Sequence, residues 1–421
     1  MTGVRRAAAA LAAVGLVLAA GLGPAAPAAA APKAGPGQWY LHEYGIDAMW
    51  KTTRGAGVTV AVIDSGISAD HEDLKGTVVG AKDFSGARKD GRTPVGPASA
   101  IGHATGVAGV IAGRGVGEGP TGVAPEATLL SASMWLGGSP PSGADSSREQ
   151  AAKAVRWAVD SGAGVINMSL GWDDPAWPEA WDSAFEYAFS KDVVVVACVG
   201  NRSEGAKRVW SPATVPGVVG VGGLTKSGRV ASGSTAPGSA VSLMGPAQQI
   251  PVPYYKGGYA EASGCSFASP IVSGAAALLR AAHPDWSADE VVGRLEGTAR
   301  AVKGHSGRTK GEQRDATVGY GRIDPPAALA AKAPAQPPNA RRELADWVSM
   351  HRRAEPDGGA KGGASASASA SQGASAAPAQ AAAAPRTVAG PAVLIVCMLV
   401  AGGLVAYGIA AGVRARRLRR H

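Results

Sequence analysis

Residues 193–199 read VVVVACV. A run this apolar and this rich in β-branched side chains offers no polar face to water, so as a strand it must be buried on both sides. Runs of the same kind recur as VTVAVI at 58–63, GVINMSL at 164–170 and VPGVVGVGG at 215–223. Helix-forming stretches lie between or after them, such as SREQAAKAVRWAVD at 147–160. Short buried strands alternating with helices predict an α/β domain with a mostly parallel central sheet flanked by helices. Another helix is predicted over 288–299, where Ser287 and Glu290 stand at capping-box spacing. In such sheets functional groups collect beyond the carboxyl ends of the strands, so the residues that follow each apolar run are the ones to inspect.

The sheet accounts for the middle of the chain only. Residues 1–31 combine Arg5 and Arg6, an apolar run from Ala7 to Leu22 and a small-residue stretch ending at Ala31, the pattern of a secretory signal peptide. Residues 32–38 form a short N-terminal extension and 39–330 the α/β domain. Residues 331–387, with SASASASA and APAQAAAAP, cannot build a core and read as a flexible Ala/Pro/Ser-rich linker. Within it RRELADWVSMHRRAE has the character of a short helix. Residues 388–413 carry no charge, and a helix of that length, at ~1.5 Å per residue, crosses a hydrocarbon core of ~30 Å. The tail 414–421, RARRLRRH, holds five arginines and is expected to stay cytoplasmic. The expected protein is single-pass in the cell membrane, with one C-terminal transmembrane helix and its α/β domain outside. The formal net charge is +9; the tail and Arg5 and Arg6 supply seven of these charges, which leaves +2 for residues 32–413. The basic balance therefore reports topology, and no nucleic-acid partner is expected.

The segment 263–270, SGCSFASP, sets two nucleophiles side by side, Cys265 and Ser266, at a loop-to-helix junction where a serine is most often an N-cap. Asp64 follows VTVAVI, and Asn201 follows VVVVACVG; alone, each suits a turn. His103 opens HATGVAGVIAG, whose small residues suggest a helix packed very close to the sheet. His71, among Asp70, Glu72 and Asp73, suits an exposed turn better. The pairing of Cys198 and Cys265 is left open by their positions, and no dense Asp/Asn cluster marks a metal site.

The order Asp64, His103, Asn201, Ser266 gathers these residues into one pattern. VAVIDSGI, GHATGVAGVIA, GVAPEATLL, VINMSLG, VVVVACVGN and SGCSFASPIVSGAAALL together resemble the subtilisin-like serine proteases (peptidase S8), with VGYGRIDPPAAL at 318–329 similar to that family's domain end. The resemblance implies a subtilisin-like three-layer fold, a catalytic triad of Asp64, His103 and Ser266, and an oxyanion donor in Asn201. It also implies a substrate-binding edge at Ser169, Leu170 and Gly171, polypeptide substrates and no cofactor. Trp172, where the family often has a small residue, is expected to narrow or cover the cleft, and Arg202 to bias the primary pocket toward acidic or polar side chains. The lead WYLHEYGIDAMWKTTRGAGVTVAVID and the layout of signal peptide, linker, span and basic tail further resemble the mycosins. That implies a membrane-anchored serine endopeptidase with type VII secretion components as partners. The alternatives are a structural scaffold of such a machine and a general cell-surface subtilase.

Overall fold

The structure is a computed structural model that describes residues 32–305, 314–334, 336–352 and 375–376. The expected signal peptide, membrane span and basic tail lie outside the described residues.

The strands are β1 (Thr59–Asp64), β2 (Val78–Asp83), β3 (Thr128–Ser133), β4 (Val165–Met168), β5 (Leu170–Gly171), β6 (Val194–Cys198), β7 (Val219–Leu224), β8 (Val241–Pro246), β9 (Ile250–Pro253), β10 (Tyr259–Ala262), β11 (Gly321–Arg322) and β12 (Ser375–Ala376). Eight of them form one sheet in the order β11-β8-β7-β6-β4-β1-β3-β2, with every neighbouring pair parallel. β9 and β10 make a separate antiparallel hairpin. The longer helices are α1 (His103–Ala112), α2 (Ser147–Asp160), α3 (Glu179–Ser190), α4 (Cys265–Ala282), α5 (Ala288–Gly297) and α6 (Ala340–His351).

The apolar runs are buried on both faces, as their composition requires. In β1, Val60 and Val62 join a core with α1 and α4, while Ala61 and Ile63 join a second core with α2 and α3. β6 divides in the same way, Val194 and Val196 against Val195 and Ala197. Period-two alternation on a doubly covered sheet thus builds two cores and three layers. α2 begins and ends at the predicted residues, and both α2 and α5 carry complete capping boxes, from Ser146/Glu149 and Ser287/Glu290. α5 stops two residues short of the expected end, at Gly297.

α4 is the one described helix long and apolar enough to cross a membrane, and it is a core helix instead, with most of its length enclosed. α1 is buried at every position. Its closest approach is to the β9–β10 hairpin and α4 rather than to the sheet. A methyl on Gly109 would overlap the Pro253 ring, and one on Gly106 would meet Phe267 at 3.2 Å.

The expected linker helix forms as α6, and it is docked rather than free. Leu344 is buried, Trp347 lies on Trp177 with ring centroids 4.2 Å apart, Arg341 pairs with Glu186 at 2.7 Å and Arg352 with Asp182 at 2.7 Å. Ordered packing on the domain therefore continues past residue 330 to Arg352.

Candidate active site

The strand order changes direction at β1: the chain adds β3 and β2 on one side, then β4 and its successors on the other. At this switch point the loops beyond neighbouring strands part and leave a crevice. Asp64 ends β1, Ser169 follows β4, and Asn201 lies three residues past β6. His103 and Ser266 enter from the first turns of α1 and α4.

Asp64 is fully buried and faces His103, whose Nδ1 lies 2.8 Å from Oδ2 and 3.0 Å from Oδ1. The Ser65 N–H donates to the same carboxylate at 2.6 Å. Nδ1 is therefore the donating nitrogen, which leaves Nε2 as the acceptor of a neutral imidazole. Nε2 is buried and bonded to nothing among the described residues. Phe267 packs on the imidazole at 5.6 Å between centroids.

Ser266 is not the cap of α4. The helix begins at Cys265, its N-cap is Gly264, and no side chain caps it. The Ser266 hydroxyl instead donates to the Ser169 carbonyl at 3.1 Å. The Ser169 hydroxyl donates back to the Ser266 carbonyl at 2.8 Å and receives hydrogen bonds from Asn167 Nδ2 and Ser269 Oγ, both at 2.9 Å. Ser273 Oγ donates to Asn167 Oδ1, also at 2.9 Å. This buried network fastens the end of β4 to the first turns of α4.

Cys198 and Cys265 form a disulfide, with Cα atoms 5.2 Å apart. It joins the end of β6 to the residue before Ser266. Between Cys198 and Asn201 the chain turns at Gly200, where φ is +101° and a Cβ would come within 2.8 Å of the Trp210 ring, so a side chain is excluded twice over. Asn201 Oδ1 accepts from the Cys265 N–H at 3.0 Å, and Nδ2 donates to Glu204 Oε1 at 3.0 Å. Burial pushes the Glu204 carboxyl up to about 7, against the opposing influence of His103 and of the Asn201 hydrogen bond. Glu204 carries no motif, and its place beside Asn201 and His103 emerges only in three dimensions.

Asp64, His103, Asn201 and Ser266 are thus brought to one crevice. Ser169 turns its side chain inward, and Leu170–Gly171 form the short strand β5, with which the linker residues Ser375–Ala376 pair antiparallel. Two sequence-based expectations are corrected. Trp172 does not cover the cleft: it is fully buried, donates from Nε1 to Ser147 Oγ and packs on Trp181. His71 is not on an exposed turn: it is 5% exposed, with Nε2 2.9 Å from the Gly258 carbonyl, because the β9–β10 hairpin folds over it. Arg202 is exposed on the turn after Asn201.

The profile of the subtilase family, peptidase S8, matches residues 55–321. Subtilisin DY of Bacillus licheniformis is 36% identical over 251 residues, covering 58% of this chain and 85% of that protein. Subtilisin E of Bacillus subtilis (strain 168) is 37% identical over 251 residues, covering 58% of this chain and 61% of that protein. Among solved structures, the MycP3 protease from the type VII (ESX-3) secretion system is 30% identical, with a TM-score of 0.58 over 71% of this chain and 90% of that one. MycP1 from Mycobacterium smegmatis is 27% identical, with a TM-score of 0.61 over 75% of this chain and 89% of that one.

Proposed function

The chain belongs to the subtilase family, with a subtilisin-like fold and serine endopeptidase activity, and from that premise we propose that Asp64, His103 and Ser266 are its catalytic triad. The observation that carries this reading is the buried two-oxygen contact of Asp64 with His103 Nδ1. It sets the tautomer in which Nε2 can take a proton. In the reaction His103 removes the Ser266 proton as Oγ attacks the scissile carbonyl. The tetrahedral oxyanion receives hydrogen bonds from Asn201 Nδ2 and the Ser266 N–H, at the favourable end of the α4 dipole. His103 then returns the proton to the leaving amine and releases an acyl-enzyme on Ser266, which water hydrolyses by the same relay. Asp64 stays ionised and stabilises the imidazolium.

Residues Ser169–Gly171 would hold the substrate main chain by strand addition. The antiparallel pairing of β12 with β5 supports this, because that edge accepts an extended chain. The likeness to MycP1 and MycP3 supports a mycosin-like role in type VII secretion, with the protein anchored by residues 388–413 and its peptidase domain outside the membrane.

The test is labelling by a fluorophosphonate. Wild-type protein should label, and Ser266→Ala should not, with unchanged circular dichroism. Absence of labelling in folded wild type would overturn the reading. One observation favours the second reading, a scaffold with little activity: the Ser266 hydroxyl is engaged by Ser169 while His103 Nε2 has no partner among the described residues. If folded wild type does not label, the scaffold reading gains; if wild type labels, Ser266→Ala supports secretion as well as wild type and deletion of the chain abolishes it, both roles coexist.

A further inference from the structure

The Asn201 amide is held at both ends. Its Oδ1 faces the Cys265 N–H, and a backbone N–H can only donate, so the orientation of the amide is fixed by chemistry. Its nitrogen carries two hydrogens, of which one goes to Glu204 Oε1. Asn201 is 1% exposed, so the second hydrogen is not taken up by bulk water.

Glu204 reaches back to Asn201 from a turn that is itself fixed. Arg202–Glu204 form a single 3-10 turn that starts at Asn201, is closed by the Glu204 N–H to the Asn201 carbonyl at 3.0 Å, and ends at Gly205 with φ +95°. Ser203 Oγ ties the turn to the Gly233 carbonyl at 3.0 Å. A carboxyl held this way cannot follow the amide if the amide rotates; it sets where the amide lies.

We propose that Glu204 is a positioning residue for peptide hydrolysis: by accepting one N–H of Asn201 it fixes the amide plane and reserves the other N–H for the oxyanion. The inference rests on the assignment of Asn201 as the oxyanion donor. Glu204 Oε2 is buried without a partner among the described residues, so the hydrogen bond runs through Oε1. Burial lifts its pKa to about 7, and His103 and the Asn201 hydrogen bond oppose that rise. The neighbouring turn Ser232–Ser234 brings no charge, and Arg202 on its own turn is exposed. Protonated or ionised, Oε1 remains an acceptor, and glutamine preserves that function without the charge.

The experiment measures kcat and KM on a peptide substrate for wild type, Glu204→Ala, Glu204→Gln, Asn201→Ala and the double variant Asn201→Ala/Glu204→Ala. Glu204→Ala should lower kcat about 10-fold with KM unchanged, the signature of an interaction that matters in the transition state. Glu204→Gln should restore most of that loss at pH 6–7. Asn201→Ala should lower kcat about 10²–10³-fold, and adding Glu204→Ala should cost nothing further, because the residue it positions is gone. Multiplicative losses in the double variant, a change confined to KM, or a Glu204→Gln as impaired as Glu204→Ala would each overturn the positioning role while leaving Asn201 in place. An Asn201→Ala with wild-type kcat would overturn the oxyanion assignment, and the role of Glu204 with it.

Discussion

The backbone N–H of Cys265 donates to the side-chain oxygen of Asn201 at 3.0 Å, and the sulfur of the same Cys265 is bonded to Cys198, three residues before Asn201. The residue preceding Ser266 is therefore fastened to the Asn201 loop twice, once by a hydrogen bond and once covalently. A tight interior would have been satisfied by two small apolar side chains. The covalent link adds a constraint that packing alone does not supply.

The bridge closes a loop with a sequence separation of 67 residues. Chain-entropy arguments for a loop of this size give a contribution of about 4 kcal/mol. Replacing both cysteines by serine should lower the unfolding free energy by that amount in urea titrations, and reductant should do the same to wild type but leave the variant unchanged. Because the bond to Asn201 comes from the backbone, the variant should keep hydrolytic activity. Loss of hydrolysis in a folded Cys265→Ser protein together with its retention in Ser266→Ala would instead reverse the assignment of the nucleophile.

Asp64→Asn should keep the fold and lose turnover by about 10⁴. An amide offers His103 Nδ1 a donor as readily as an acceptor, so the imidazole can settle in the tautomer with its proton on Nε2. Imidazole NMR should show that tautomer in the variant and Nδ1–H in wild type.

Occupation of β5 by Ser375–Ala376 places a tethered competitor on the edge that would receive substrate. A competitor carried on the same chain acts at an effective concentration of order mM. Ser375→Pro together with Ala376→Pro, in the full chain, removes the N–H groups that strand pairing needs. KM for peptides should fall about 2–10-fold with kcat unchanged.

Glu296 accepts from Ser242 Oγ at 2.6 Å in a buried setting, and burial raises its carboxyl from 4.5 to about 7. A raised acid binds its proton more tightly in the folded state, so its favourable contribution is complete below about 4.5 and is lost as pH rises through about 7. The linked free energy is at most about 3 kcal/mol. Glu296→Gln should therefore melt higher than wild type at pH 8, with little difference at pH 5.

What the sequence discloses and what it hides divide along a physical line. VVVVACV and its kin announce a doubly covered sheet because nothing else shelters such runs, and Ser287/Glu290 announces a helix start because a capping box is complete within four residues. Asp64, His103, Asn201 and Ser266 are found because each ends or begins an element with its own local pattern. His71 and Trp172 mislead because burial is conferred from elsewhere: the hairpin covers His71, and Ser147 and Trp181 draw Trp172 inward. The disulfide and the contact of Glu204 with Asn201 depend on how loops meet after the sheet is built. The docking of α6 is hidden for the same reason, since Trp347 looks like any residue of a polar helix until Trp177 is beside it.

The docking of α6 has a mechanical consequence. A force applied at Arg352 is met first by the Arg352–Asp182 pair and the Trp347–Trp177 contact. These lie on the layer built by α2 and α3, whereas His103 and Ser266 ride on α1 and α4 against the other core. A load applied at Arg352 is therefore taken up as shear along α3, on the face of the sheet opposite the helices that carry His103 and Ser266.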